Sequence, residues 1–167
     1  MRDRMFEHRK KDESDRGDLI FELVQAPIQN WPRQIKKIRR KVFPPWFATD
    51  LFPALFRYRG WMIVSRIDNH YVGFALCDFL EGDPGVYLEE LAVLPEYQRK
   101  GIGAQLVLEC AYQARGQGFI TMWASPLAGD EHRGIWLETR GLLPNVEGIQ
   151  SSLDEIIARC DSLGLSR

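Results

Sequence analysis

The sequence predicts an α/β fold in which helices pack on one mixed, mostly antiparallel β-sheet. Runs of β-branched and aromatic residues have the composition of strands, and three of them follow one another at residues 61–67, 71–79 and 86–94. Apolar residues recur at helical spacing in two further segments, 31–42 and 101–117. With 167 residues, of which 45% are hydrophobic, the chain can build one core and hence one domain.

The first third of the chain predicts one strand and two helices. Residues 19–26 are apolar and rich in strand formers. Asn30 and Pro32 suit the start of the helix over residues 31–42, because Asn caps helices and Pro is tolerated in the first turn. A shorter helical segment is expected over residues 46–58, where an aromatic-rich block begins.

The middle of the chain predicts an antiparallel hairpin followed by a further strand. The separator at residues 68–70, Asp-Asn-His, has turn chemistry, so the two runs beside it should pair. The strand over residues 86–94 follows a turn rich in Gly and Pro and ends before Pro95.

The last third predicts a long helix, a strand and two shorter helices. The helix over residues 101–117 is followed by a strand at 119–124 and a short helix at 131–140. Residues 143–150 leave room for only one short strand, and 153–163 form an amphipathic helix that could cap the sheet or pair with a second subunit. The apolar face of the long helix is Ile102, Leu106, Val107, Cys110, Ala111 and Ala114.

Composition excludes several classes of protein. The formal net charge of −1 argues against a nucleic-acid-binding or strongly acidic protein. Cys77, Cys110 and Cys160 lack the spacing of a disulfide framework or a zinc site, which favours a cytoplasmic location and no metal. Residues 1–18 read as a disordered charged arm without a signal peptide, so the domain should span 19–167, and no stretch could cross a membrane.

The run Gln-Arg-Lys-Gly-Ile-Gly at residues 98–103 links a strand to a helix and predicts an anion site. Free N–H groups at a helix N-terminus point outward together, and the helix dipole favours negative charge there. Gly101 and Gly103 allow close approach of a phosphate, and Arg99 and Lys100 add positive charge. A pyrophosphate suits such a turn, although an ordinary glycine turn is the alternative.

Two familiar phosphate motifs do not fit this run. A P-loop needs a longer glycine loop that ends in Gly-Lys-Ser or Gly-Lys-Thr. The dinucleotide fingerprint needs a third glycine, but Leu106 stands in that place.

The stretch over residues 91–103, Leu-Ala-Val-Leu-Pro-Glu-Tyr-Gln-Arg-Lys-Gly-Ile-Gly, resembles the acetyl-CoA signature of the GNAT superfamily of N-acetyltransferases. Gln98, Gly101 and Gly103 fill its three signature positions, and the order of elements agrees over residues 19–142. The resemblance implies a twisted sheet that splays between its fourth and fifth strands. It also implies acetyl-CoA as co-substrate and an amine as acceptor.

The resemblance carries the family's cofactor contacts onto two short segments. The backbone of the strand end should pair with the pantetheine arm, and the N–H of Val93 should stabilise the oxyanion of the thioester carbonyl. The N–H groups of the turn should hold the pyrophosphate. The residues concerned are Leu91, Ala92 and Val93 in the strand and Arg99, Lys100, Gly101, Ile102 and Gly103 in the turn.

Two carboxylates are candidates for the catalytic base that the resemblance implies. Glu89 and Glu90 lie on the fourth predicted strand, and strand alternation puts Glu89 on the face of Leu91 and Val93. We therefore favour Glu89 as base, with an ordinary surface role as the alternative for either residue.

Two positions depart from the family pattern, and the first of them places the general acid in doubt. The position of the usual tyrosine is Leu137, and the position of a frequent asparagine is Asp130. Tyr97, Tyr112 and Ser125 are candidate substitutes. The departures motivate an alternative function, a sensor or interaction domain that binds acyl-CoA without turning it over.

The acceptor is left open as an amine-bearing small molecule or peptide. A basic helix face lies where the family builds the acceptor side; it could attract an acidic substrate, RNA or a membrane surface, and an ordinary solvated face is the alternative. We expect no nucleic-acid partner. The face consists of Arg33, Lys36, Lys37, Arg39, Arg40 and Lys41.

Overall fold

The computed structural model describes residues 18–25, 33–45, 60–124, 143–145 and 148–165. Within them the chain forms seven strands and three α-helices. These are β1 (Leu19–Gln25), α1 (Arg33–Val42), β2 (Trp61–Ile67), β3 (His70–Asp78), β4 (Gly85–Val93), α2 (Ile102–Gly116), β5 (Thr121–Ala124), β6 (Leu143–Asn145), β7 (Gly148–Ser152) and α3 (Leu153–Ser162). The helices expected at residues 46–58 and 131–140, and the arm at 1–17, lie outside the described residues.

One mixed sheet contains all seven strands in the order β1-β2-β3-β4-β5-β7-β6. Every neighbouring pair is antiparallel except β4 and β5, which are parallel. β2 and β3 form the expected hairpin, whose turn holds Asp68 at a φ of 53°. The predicted fold class is therefore confirmed.

The sheet opens between β4 and β5, as expected. β5 pairs with only the first four residues of β4, from Gly85 to Leu88. β4 continues to Val93. Among the described residues, which on this side stop at Ala124, the last five residues of β4 have no strand partner next to β5, and we call this opening the wedge.

Helices cover both faces of the sheet. On one face α1 buries Ile35 and Ile38 against Phe74 and Leu76 of β3. On the other face α2 and α3 share a larger core cluster with the sheet. The predicted apolar face of α2 is buried in full, but Leu108 on another side is buried too, because α3 packs beside α2.

Residues 143–152 form two strands, where one was expected. β6 and β7 make a short hairpin, and β7 pairs with β5. The prediction of one strand was wrong because β6 has only three residues, too few to show an alternating pattern. No helix in the described part of the chain is long and apolar enough to span a bilayer.

Arg39 is buried, although the sequence placed it on the exposed basic face. Its Nε and Nη2 atoms each donate a hydrogen bond of 2.9 Å to the carboxylate of Glu90 on β4. The other five basic residues of α1 are exposed. Position 39 lies between Ile35, Ile38 and Val42 on the helix surface, so helical geometry places it on the inward face despite its charge.

The buried pair predicts a large loss of stability when one partner is removed. In Arg39→Met the Glu90 carboxylate stays buried without its cation, so the free energy of unfolding should fall by about 3–5 kcal/mol. Urea denaturation measures this change. Lys41→Met, which removes the exposed pair of Lys41 with Glu96, is the control and should leave the midpoint unchanged. A midpoint for Arg39→Met equal to that of the control would contradict the assignment.

Candidate active site

The wedge exposes the backbone polar groups of alternate residues of β4. The N–H of Leu94 donates to the carbonyl of Val72 in β3, at 2.8 Å. Since successive residues of a strand direct these groups to opposite sides, those of Val93 and Leu91 face the wedge. By the same alternation the backbone groups of Ala92 face β3, on the side away from the wedge. Of the three predicted strand residues, Leu91 thus offers the wedge both its backbone groups and Val93 its N–H.

The side chain of Gln98 links the turn to the end of β4 by a hydrogen bond. Its Nε2 atom donates a hydrogen bond of 2.8 Å to the carbonyl of Val93. The N–H of Val93 is not engaged by any other described residue. The signature glutamine therefore occupies the carbonyl beside the predicted oxyanion donor and leaves that donor available, a contact that the sequence did not reveal.

The turn after β4 presents a row of free backbone donors. Gln105 N–H makes the first helical hydrogen bond, to the carbonyl of Gly101. Among the described residues, no acceptor engages the N–H groups of residues 99–104. Six consecutive free donors at the N-terminus of a 15-residue helix are an arrangement that suits an anion.

Two left-handed residues shape this turn. Arg99 has a φ of 62° and Gly101, the N-cap of α2, a φ of 82°. Left-handed backbone costs little for glycine but is uncommon for arginine, so the surrounding turn must hold Arg99 in place. Ile102 is buried and anchors the helix start in the core. These constraints fix the backbone conformation of the turn.

The two basic side chains of the turn differ in their engagement. Lys100 Nζ donates to the carbonyl of Glu96 at 3.1 Å and lies 5.2 Å from the ring centre of Tyr97. Arg99 is exposed and makes no contact of this kind within the described residues. Arg99 is therefore free to reach a bound phosphate, whereas Lys100 stabilises the turn.

Glu89 stands where β4 and β5 part. It is the first residue of β4 beyond the last pair with β5. It also has no partner in β3, because a bulge opposes Leu76 to Glu90 and Cys77 to Leu88. Bulges next to active sites commonly redirect a side chain.

The surroundings raise the pKa of Glu89. The side chain reaches solvent, yet neighbouring protein desolvates it in part, and the carboxylate of Asp78 adds repulsion. Both effects raise the pKa of Glu89 above its ordinary value of 4.5. A carboxylate of raised pKa is a better proton acceptor at neutral pH. Glu90, in contrast, is committed to Arg39 and is no free base.

The structure describes only some of the positions that depart from the family pattern or could supply the general acid. Leu137, Asp130 and Ser125 lie outside the described residues. Tyr97 is partly buried under Lys100, and Tyr112 lies on α2 beneath Arg115. Neither tyrosine is placed on β4 or β5, the strands that border the wedge.

Solved structures share this fold. The ribosomal-protein-S18-alanine N-acetyltransferase from Escherichia coli is 17% identical, with a TM-score of 0.62 over 80% of this chain and 94% of that one. The paia N-acetyltransferase from Thermoplasma acidophilum, in complex with coenzyme A, is 11% identical, with a TM-score of 0.59 over 79% and 98%. A GNAT family acetyltransferase from Elizabethkingia anophelis with acetyl-CoA bound is 13% identical, with a TM-score of 0.54 over 71% and 72%.

The sequence comparisons locate the shared domain. A search of curated proteins finds no significant match. The sequence profile of the Acetyltransferase (GNAT) family matches residues 30–133, which include β4, the turn and all of α2. This match covers more than half of the chain and agrees with the fold, so the chain belongs to the GNAT family of acetyltransferases.

Proposed function

We propose that this protein transfers the acetyl group of acetyl-CoA to a primary amine, by direct attack within a ternary complex. The observation that carries the proposal is the turn at residues 99–104, whose N–H groups have no acceptor among the described residues and which follows the wedge side of β4. The chemistry of the donors suits a pyrophosphate. Acetyl-CoA is the family's co-substrate and is bound in a structural neighbour, which supports the same ligand here.

The strand edge and the turn would bind different parts of acetyl-CoA. The N–H groups of residues 99–104 would hold the pyrophosphate. The backbone groups of Leu91 would pair with the amides of the pantetheine arm, as a strand pairs with its neighbour. The N–H of Val93 would then lie at the thioester carbonyl and donate to the oxyanion that forms on attack.

Glu89 would act as the catalytic base. Free primary amines have a pKa of about 10, so most of the acceptor is protonated at neutral pH and must lose a proton before it attacks. At about 3.3 Å per residue, the Cα atoms of Glu89 and Val93 are about 13 Å apart along β4. This separation leaves room for the acceptor amine, or for an ordered water, between the carboxylate and the thioester.

The reaction balances without a further cofactor. The protonated amine first gives one proton to Glu89 or to water; the neutral nitrogen then forms a bond to the thioester carbon, the C–S bond breaks, and the nitrogen loses a second proton to water. The CoA thiolate leaves and takes a proton from water, which suffices because a thiol has a pKa of about 8.5. The products are the acetamide and free CoA.

The alternative is a domain that binds acyl-CoA without turnover. The leucine at the usual tyrosine position favours it. A thiol-release assay over a panel of amines (polyamines, amino acids, peptides and aminoglycosides) separates the two functions. We expect amine-dependent release of CoA for at least one amine. Stoichiometric binding of acetyl-CoA without release across this panel would favour the sensor.

A further inference from the structure

Helix α3 runs back along α2 and ends at the turn. Its buried residues belong to the same core cluster as those of α2. Arg115 in the last turn of α2 pairs with Asp154 in the first turn of α3, at 3.1 Å. At the other end, Leu165 lies beside Gly101, the N-cap of α2. The two helices are thus antiparallel, and the segment after α3 reaches the turn.

Both ends of α3 are fixed by hydrogen bonds. At its start, Ser152 and Glu155 form a complete capping box. At its end, the N–H of Gly164 bonds to Asp161 at 2.9 Å and the N–H of Leu165 bonds to the carbonyl of Cys160 at 3.2 Å. Gly164 has a φ of 75°, the left-handed conformation that such a helix end requires. The path of the chain therefore places Leu165 at a defined position.

Leu165 is the side chain that borders the turn at Gly101. A Cβ atom built on Gly101 would lie 3.8 Å from Leu165 Cδ2, an ordinary van der Waals distance. No other atom of the described residues comes within 4 Å of that point. Leu165 is also partly buried against the core that holds α2. Leu165 thus packs on this core and also lies beside Gly101, the left-handed residue of the turn.

We propose that Leu165 is a positioning residue for the co-substrate. Its side chain lies on the side of Gly101 where a Cβ would stand, which limits the backbone conformations open to this residue, and its apolar surface would exclude water from that side of a bound pyrophosphate. Exclusion of water strengthens the hydrogen bonds between these donors and the phosphate oxygens. The inference rests on the proposed function. It goes beyond the family signature, because the family match ends at residue 133 and α3 begins at Leu153.

The test compares two ligands on four proteins. Acetyl-CoA carries the pyrophosphate, and S-acetyl-pantetheine lacks it. The proteins are the wild type, Leu165→Ala, Leu165→Met and Leu163→Ala, the last as a matched control at a leucine that is 46% exposed. Calorimetry gives the Kd of acetyl-CoA, NMR titration gives the weaker Kd of S-acetyl-pantetheine, and thermal melting verifies that each variant is folded.

We expect Leu165→Ala to weaken acetyl-CoA binding about fivefold, within the range of coupling between contacting residues, and to leave S-acetyl-pantetheine unaffected. Leu165→Met and Leu163→Ala should match the wild type for both ligands. Equal Kd values for Leu165→Ala and wild type would overturn the inference, as would an equal loss for both ligands, which indicates general loosening. If wild type itself did not bind acetyl-CoA, the proposed function would fail first, and the inference with it.

Discussion

Gly101→Val should abolish the tight binding of acetyl-CoA while the protein stays folded. Valine does not tolerate the φ of 82° at this position, so the turn must change its backbone conformation. The N–H groups of residues 99–104 would then no longer converge. The loss of two charge-assisted hydrogen bonds predicts a Kd at least about 100-fold higher. Calorimetric titration with acetyl-CoA measures the change.

Gly82→Val is the matched control for this variant. Gly82 has the same φ of 82°, and no described atom lies within 4 Å of the position of an added Cβ. It lies in the turn before β4, whereas the turn at residues 99–104 follows the other end of that strand. The two variants should therefore lose similar stability, but only Gly101→Val should lose affinity. Equal affinities for the two would show that the turn does not hold the ligand.

Glu89→Gln should lower kcat/KM for acetyl transfer by about 100-fold or more, the usual range for removal of a general base. The amide cannot accept the proton of the attacking amine, whereas the shape of the side chain is retained. The Kd of acetyl-CoA should not change, because the turn at residues 99–104 lies beyond the end of the wedge that is opposite Glu89. Steady-state kinetics with an accepted amine, together with calorimetry, separate the two effects.

The dependence of kcat/KM on pH is a second test of Glu89 as the catalytic base. The base is active as the carboxylate, so kcat/KM should fall as the pH drops through a pKa that burial and Asp78 raise above 4.5. In Glu89→Gln this acid limb should disappear. Glu81→Gln, at an exposed glutamate in the turn before β4, should keep both the rate and the limb. A rate for Glu89→Gln that equals that of wild type at every pH excludes Glu89 as base.

Local patterns in the sequence were sufficient for most of the described sheet. β2 has the predicted bounds because its apolar run and the turn at Asp68 are local signals. The hairpin of β6 and β7 was missed because its three- and five-residue strands acquire their stability from pairing with β5. Arg39 was misplaced because its partner Glu90 lies 51 positions away, although its helical position beside Ile35 and Ile38 was a usable signal.

The candidate site was likewise predictable from the sequence only in part. The turn was predictable, because free donors, glycines and the start of a helix all follow from adjacent residues. The bulge that leaves Glu89 without a partner depends on the pairing of β4 with β3, which the sequence does not display. The position of Leu165 beside Gly101 brings distant segments together and depends on the packing of α3 on α2.

The most direct test of the central claim is a calorimetric titration of the wild-type protein with acetyl-CoA. The free N–H groups of the turn predict saturable binding at one site per chain, with S-acetyl-pantetheine much weaker because it lacks the pyrophosphate. Absence of binding, or equal affinity for the two ligands, would contradict the assignment of residues 99–104 as the pyrophosphate site.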